Sequence, residues 1–227
     1  HELRTPLAAI KGSAENILDG FLGEPDPRQR GTLEMIHRNA KRLSRLIDNL
    51  LDMSRLERGV LVIHPRPVDL RRPLRLAFED LLPIAEKSGI HLGIALPEQP
   101  VEASADEDRI VQIATNLLDN AIRFAAHSVH LELTDENDQA AFSVVDDGPG
   151  VPEERLPRLF ERFAARAGAP KTQMGIGLSI VKGLVEAHGG TVEAANREHG
   201  EESGMRFVVR LARRPIPAGD GTDESTS

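Results

Sequence analysis

Apolar residues in the first part of the chain fall alternately three and four positions apart. Leu3, Leu7, Ile10, Ala14, Ile17 and Phe21 form one series, and Leu33, Ile36, Ala40, Leu43, Ile47 and Leu50 a second. This spacing keeps one face of an α-helix apolar, so it predicts helices over 1–22 and 28–57. Between them, Gly23-Glu24-Pro25-Asp26-Pro27 breaks the pattern. Two long helices joined by a short turn make an antiparallel hairpin. Leu18, Leu46 and Leu51 widen the seams beyond what one hairpin hides. Two hairpins paired as a four-helix bundle would cover them, so a homodimer through residues 1–57 is expected. Periodicity alone equally admits a coiled-coil spacer.

The texture changes at 59–67, where Pro65 and Pro67 mark a linker. Beyond it, a mostly helical stretch over 68–87 starts near Asp69, and a strand follows over 90–96. Ile110, Ile113, Leu117, Leu118 and Ala121 give 106–125 an amphipathic helical face. Segments 129–134 and 141–146 alternate like paired strands around a turn at Glu136-Asn137-Asp138. A helix over 175–188 closes at Gly189-Gly190. Strands over 191–195 and 205–211 complete the order. The expected class is α+β: a helical hairpin over 1–58, a linker over 59–67, and an α/β sandwich over 68–214 with helices on one face of a mixed sheet. Residues 215–227 carry no apolar pattern and are expected to be disordered.

Composition narrows the function. The 227 residues are 40% hydrophobic and 28% charged, which is globular. There is no Cys, so disulfides and Cys-based metal or redox chemistry are excluded. A net charge of -8, with no Trp or Tyr, argues against nucleic-acid binding. No apolar run reaches the ~20 residues of a membrane span, so no membrane contact by this segment is expected. No signal peptide is apparent. A chain that opens on His rather than Met is expected to be a piece of a longer protein.

Five segments carry candidate chemistry. In His1-Glu2-Leu3-Arg4-Thr5-Pro6, His1 and Thr5 share a helix face, and Glu2 lies beside the imidazole. A neutral exposed histidine is a nucleophile when a carboxylate holds the proton on its other ring nitrogen. Zinc is not expected, because position 5 is Thr where an HExxH pattern needs His. Asn116, Asn120 and Arg123 form a polar stripe on the amphipathic helix, suited to phosphate oxygens and Mg²⁺. A strand-end Asp146 followed by Asp147-Gly148-Pro149-Gly150 can accept a hydrogen bond from a base amino group. Leu159-Phe160-Glu161-Arg162-Phe163 is a short amphipathic piece, and polar 164–174 looks like a lid. Gly175-Ile176-Gly177-Leu178-Ser179 opens a helix, where backbone N–H groups hold phosphates. Four of the segments alone have a plain structural reading (a solvated histidine, a polar helix face, a common turn, a packing anchor), and a single GxG is not specific. No GxxxxGK[ST] occurs, so this is not a P-loop enzyme.

Their order is more specific than any one of them. HELRTP, NLLDNAIRFA, DDGPGVP, LFERF and GIGLSIVKGLVEAHGG together resemble the H, N, G1, F and G2 boxes of sensor histidine kinases, over about residues 1–211. The resemblance implies a dimerisation and histidine-phosphotransfer hairpin followed by a Bergerat-type ATP-binding domain. It implies His1 as phosphoacceptor, Glu2 as general base, and Thr5 as the residue that orients water for regulator dephosphorylation. It implies Asn120 as the Mg²⁺ ligand with Asn116 nearby, Arg123 against phosphate, and Asp146 as the adenine-recognising carboxylate. Gly148 and Gly150 would shape that pocket, and Gly175, Gly177 and Leu178 the phosphate side. Three positions depart from the pattern: Phe124 replaces a frequent Tyr, Gln173 a Gly, and Met205 stands where Gly-Thr is common.

The implied reaction passes the γ-phosphoryl of ATP to His1 and then to an Asp on the receiver domain of a response regulator. The implied setting is a cytoplasmic module of a membrane-anchored bacterial receptor. Two alternatives stand beside it. One is a non-kinase ATPase of the same nucleotide fold. The other is a pseudokinase scaffold that dimerises and binds a regulator.

Overall fold

The computed structural model describes residues 4–136, 138–161, 176–197 and 203–213. It divides into two compact units, His1–Leu61 and Val62–Ser227.

The first unit is a pair of packed helices, α1 (Arg4–Leu18) and α2 (Pro27–Glu57). The predicted helix over 1–22 stops four residues early. Gly20 takes φ 78°, and the Gly20 and Phe21 N–H groups bond back to the Ile17 and Asn16 carbonyls at 3.2 and 3.1 Å. Those bonds satisfy carbonyls the last helical turn leaves open, and a left-handed glycine provides the geometry. The same arrangement ends α2 at Gly59, with bonds from Gly59 and Val60 to Leu56 and Arg55. The start of α2 is equally well specified. Asp26 accepts from the Arg28 N–H at 2.8 Å, Gln29 Oε1 accepts from the Asp26 N–H at 3.2 Å, and Pro27 opens the helix. This is a capping box with proline where a missing N–H costs nothing. Leu7, Ala14, Ala40 and Met53 are buried, whereas Ile10, Met35, Ile36, Leu43 and Leu50 remain well exposed.

Among the described residues, the second unit holds seven strands: β1 (Arg66–Asp69), β2 (His91–Ala95), β3 (Glu102–Ala105), β4 (Ser128–Glu136), β5 (Gln139–Asp146), β6 (Thr191–Asn196) and β7 (Met205–Ala212). Its helices are α3 (Arg71–Lys87), α4 (Glu107–Phe124) and α5 (Gly177–Ala187), with a 3-10 turn over Glu153–Arg158. A five-stranded sheet runs β2-β4-β5-β7-β6, and β1 and β3 form a two-stranded ribbon. The β2–β4 pair is parallel and the other neighbours are antiparallel, so the sheet is mixed. Helix α4 lies between α3 and α5, and this layer packs on the sheet. Ile110, Ile113, Leu117, Leu118, Leu131, Phe142, Val144, Ile180 and Phe207 fill the space between. The expected α+β architecture is observed.

Three local departures have physical causes. Residues 66–69, expected as linker and helix start, form β1. Its partner β3 has no counterpart among the predicted strands. Both are four residues long and too short to show an alternating pattern. Helix α4 begins after Asp106, which caps it by accepting the Arg109 N–H at 3.4 Å. Asp106 is also a junction. Its other carboxylate oxygen accepts the His64 N–H at 3.0 Å, and its own N–H donates to His188 Nε2 at 3.0 Å. His188 Nδ1 then donates to the Leu184 carbonyl at 2.7 Å, which fixes the ring as the neutral Nδ1–H tautomer.

Candidate functional site

The sheet and helix layer set the turn after β5 against the end of α4, and the start of α5 against Asn116 in the middle of α4. Asp146 closes β5 and is 2% exposed. Its Oδ1 accepts from the Gly148 N–H at 2.9 Å and the Met205 N–H at 3.3 Å. A Cβ on Gly148 would lie 2.3 Å from the Phe124 carbonyl oxygen, so only glycine lets the 146–150 turn sit against the α4 terminus. A Cβ on Gly204 would lie 2.0 Å from the Asp146 carbonyl oxygen. The start of β7 therefore presses directly on the Asp146 backbone.

The buried face of α4 carries Leu117, Leu118 and Ala121, and Asn116 and Asn120 lie half-buried on the opposite stripe. Asn116 faces the start of α5, since a Cβ on Gly177 would meet its Oδ1 at 3.8 Å. The Asn116 Nδ2 is buried without a hydrogen-bond partner among the described residues. An unpaired buried donor is costly, and such atoms mark places where a ligand oxygen or water completes the site. Asn120 makes no side-chain hydrogen bond among the described residues. Arg123, in the last turn of α4, pairs with Asp119 at 2.8 Å. Leu178 is half-buried in the first turn of α5. Thr5 belongs to the other unit, exposed in the first turn of α1. His1, Glu2 and Gly175 lie outside the described residues, as does the whole of the expected lid over 164–174.

Three residues of this region escaped the sequence reading. The Asp147 carboxylate gathers the N–H groups of Ala126, His127 and Ser128 at 2.9–3.0 Å, and the Ser128 hydroxyl at 3.1 Å. Burial pushes its carboxyl up, but the donors from His127, Ser128 and Ala126 outweigh that and hold it at about 2. Asp147 thus ties the α4–β4 connection to the end of β5. Asn196, the last residue of β6, accepts the Val151 N–H at 2.8 Å and donates to the Val151 carbonyl at 2.7 Å. Gly204 makes the close approach described above. Only the DG and PG dipeptides in this stretch gave a signal, and they pointed to a turn without saying what holds it. Phe160 packs edge-on against Phe207, with ring centroids 6.4 Å apart and planes at 84°. This anchors the short piece before the expected lid.

Known protein families match most of the chain. Residues 105–215 match the family described as "Histidine kinase-, DNA gyrase B-, and HSP90-like ATPase". Residues 1–59 match the "His Kinase A (phospho-acceptor) domain". The chain belongs to the sensor histidine kinases of two-component systems, of which it is a catalytic core. It is 36% identical over 225 residues to hybrid signal transduction histidine kinase D of Dictyostelium discoideum, covering 95% of this chain and 14% of that protein. It is 32% identical to the signal transduction histidine-protein kinase BaeS of Escherichia coli, covering 93% of this chain and 44% of BaeS. The chain thus spans less than half the length of these relatives. The crystal structure of full-length ShkA in complex with AMPPNP superposes with a TM-score of 0.66 at 30% identity, covering 96% of this chain and 45% of ShkA. The histidine kinase AdeS of Acinetobacter baumannii shares the fold at 23% identity, with a TM-score of 0.62 over 94% of this chain and 98% of that one. Among the described residues no helix is long and apolar enough to cross a membrane.

Proposed function

We propose that this core autophosphorylates His1 from Mg-ATP and passes the phosphoryl group to an Asp of a response-regulator receiver domain. The observation that carries the nucleotide half is the buried Asn116 Nδ2, a donor without a partner beside the glycine that opens α5. An ATP oxygen supplies the missing acceptor. Adenine is recognised at Asp146, in the turn shaped by Gly148 and Gly150. The phosphates lie toward Gly175, Gly177 and Leu178, where N–H groups at a helix start favour anions. Arg123 completes the phosphate side by sharing or leaving its pair with Asp119. The side-chain oxygen of Asn120, with Asn116 nearby, suits Mg²⁺, which would neutralise phosphate charge.

In the transfer, a His1 ring nitrogen forms a bond to the γ-phosphorus as the bond to the β–γ bridging oxygen breaks and ADP leaves. Glu2 holds the proton on the other ring nitrogen. Thr5, four residues after His1 in the sequence, orients water for dephosphorylating the regulator. The exposed seam of α1 and α2 supports a homodimer through residues 1–57. The working division is a phosphotransfer module over 1–58, a hinge within 59–67 and an ATP module over 68–214. The setting is a cytoplasmic module of a membrane-anchored receptor.

The test is incubation of the chain with γ-labelled ATP and Mg²⁺. Wild type should carry an acid-labile, alkali-stable label that chases onto a regulator, and His1→Gln should carry none. Label retained by His1→Gln would overturn the assignment of His1. Sustained ATP hydrolysis without phosphoprotein would favour a plain ATPase. A melting temperature unmoved by AMPPNP would favour a scaffold.

A further inference from the structure

Asn196 has no role in the reaction just proposed, yet its geometry is more exacting than strand-end packing requires. Its amide spans to Val151 with both functions used: Oδ1 accepts the Val151 N–H at 2.8 Å, and Nδ2 donates to the Val151 carbonyl at 2.7 Å. The two residues are 45 positions apart, so the pair is a tertiary clamp and not a local cap. A side-chain amide engaging both polar groups of one residue fixes that residue's position and orientation, as a neighbouring β-strand would.

What it fixes is the turn after Asp146. Gly150 takes φ 65°, and a Cβ there would lie 2.9 Å from Asn196 Oδ1, so the amide presses against the backbone of the turn. The other end of the turn is held from the same side of the sheet. The Met205 N–H reaches Asp146 Oδ1 at 3.3 Å, and the Arg197 N–H bonds the Gly204 carbonyl at 2.9 Å. Asn196 and Met205 are themselves paired in the β6–β7 ladder. One rung of the sheet therefore grips both ends of the Asp146–Val151 turn, Asp146 by a backbone N–H and Val151 by the Asn196 amide.

We infer that Asn196 is a positioning residue for nucleotide binding, holding the Asp146–Val151 turn in its base-receiving shape before the nucleotide arrives. This rests on the reading of Asp146 and Gly148 as the adenine end of the site. Preorganisation of this kind lowers the cost of binding and leaves the chemistry of the bound complex alone. Loss of the clamp should therefore raise the Kd for nucleotide and the KM for ATP. The autophosphorylation rate at saturating ATP should be spared.

The experiment uses the full chain with Mg-AMPPNP as probe, read by calorimetry, alongside the melting temperature without nucleotide and the ATP dependence of His1 labelling. Asn196→Ala should bind about tenfold more weakly, the effect of losing one to two hydrogen bonds, with labelling at saturating ATP within about twofold of wild type. Asn196→Asp keeps the acceptor for the Val151 N–H but cannot donate to the Val151 carbonyl. It sets a carboxylate oxygen against that carbonyl, a repulsion, so it should bind at least as weakly as alanine, and it serves if the alanine variant does not fold. A lower melting temperature with unchanged AMPPNP affinity in both variants would overturn the inference, because the clamp would then be structural only. Equal loss of saturating rate and affinity would also overturn it. Failure of wild type to bind AMPPNP would instead sink the nucleotide site itself.

Discussion

The two units solve the burial of apolar surface in opposite ways. In the α/β unit the large side chains between helices and sheet are sealed: Leu117, Leu118, Leu131, Ile180 and Leu184 are 0% exposed. In the helical unit, Ile10 is 50% and Leu43 49% exposed, although both belong to the predicted seams. The first is complete as a single chain. The second presents a stripe that a lone hairpin leaves wet, and apolar surface of that kind marks an association face. The lesson is that similar helical periodicity has different consequences in the two units. Beside a sheet it closes a core, and in a two-helix hairpin it leaves half a core waiting for its complement.

The sharpest way to break this contrast is to delete one large side chain on each side of it. Phe142→Ala, in the sealed core at 1% exposure, should destabilise the α/β unit by about 3–5 kcal/mol in denaturant unfolding. Leu43→Ala should cost about 2 kcal/mol, with a midpoint that rises with protein concentration, because the proposed homodimer would cover the residue. A loss below about 0.5 kcal/mol with no concentration dependence would mean the hairpin stands alone.

A smaller effect comes from acid. The Asp147 carboxyl titrates at about 2 in the folded chain against an ordinary 3.8. Its contribution is therefore fully present above about pH 4 and lost as pH falls toward 2. After solvent screening this amounts to about 1 kcal/mol. It should appear as a steeper acid limb of the α/β transition that Asp147→Asn flattens, while the hairpin transition keeps its own pH dependence. An unchanged acid limb in Asp147→Asn would show that the three N–H donors bind the amide oxygen as well as the carboxylate.

The long elements were legible because their signals are periodic. Helix α4 and the β4–β5 hairpin were readable from apolar spacing and one turn, and α2 from its seam and its Pro-rich start. What escaped is short or non-local. The strand RPVD of β1 carries a proline, and EASA of β3 is nearly all small residues, so neither alternates; only their pairing makes them strands. Gly20 was hidden within an apolar series that runs on to Phe21, and the cap won over the seam. At the candidate site, Asp146 and Gly148 stood out as a turn after a strand. Met205 looked like a departure, but the group in use there is its backbone N–H, which any residue except proline supplies. Gly204, one residue earlier, supplies the close approach. Asn196 could not have been found from the sequence, because its partner is brought to it by the sheet.

The junction at Asp106 has a mechanical consequence. One carboxylate holds the incoming chain at His64 and the first turn of α4, and the N–H of the same residue holds His188 at the end of α5. Tension on the segment leading into this unit is borne by the His64–Asp106 bond, shared with the β1–β3 ladder. From there it acts on the helix that carries Asn116 and Asn120 and on the helix that begins at Gly177. The incoming chain is thus harnessed to the far ends of the two helices whose near ends form the candidate nucleotide site, and a single residue, through its carboxylate and its backbone N–H, is the buckle.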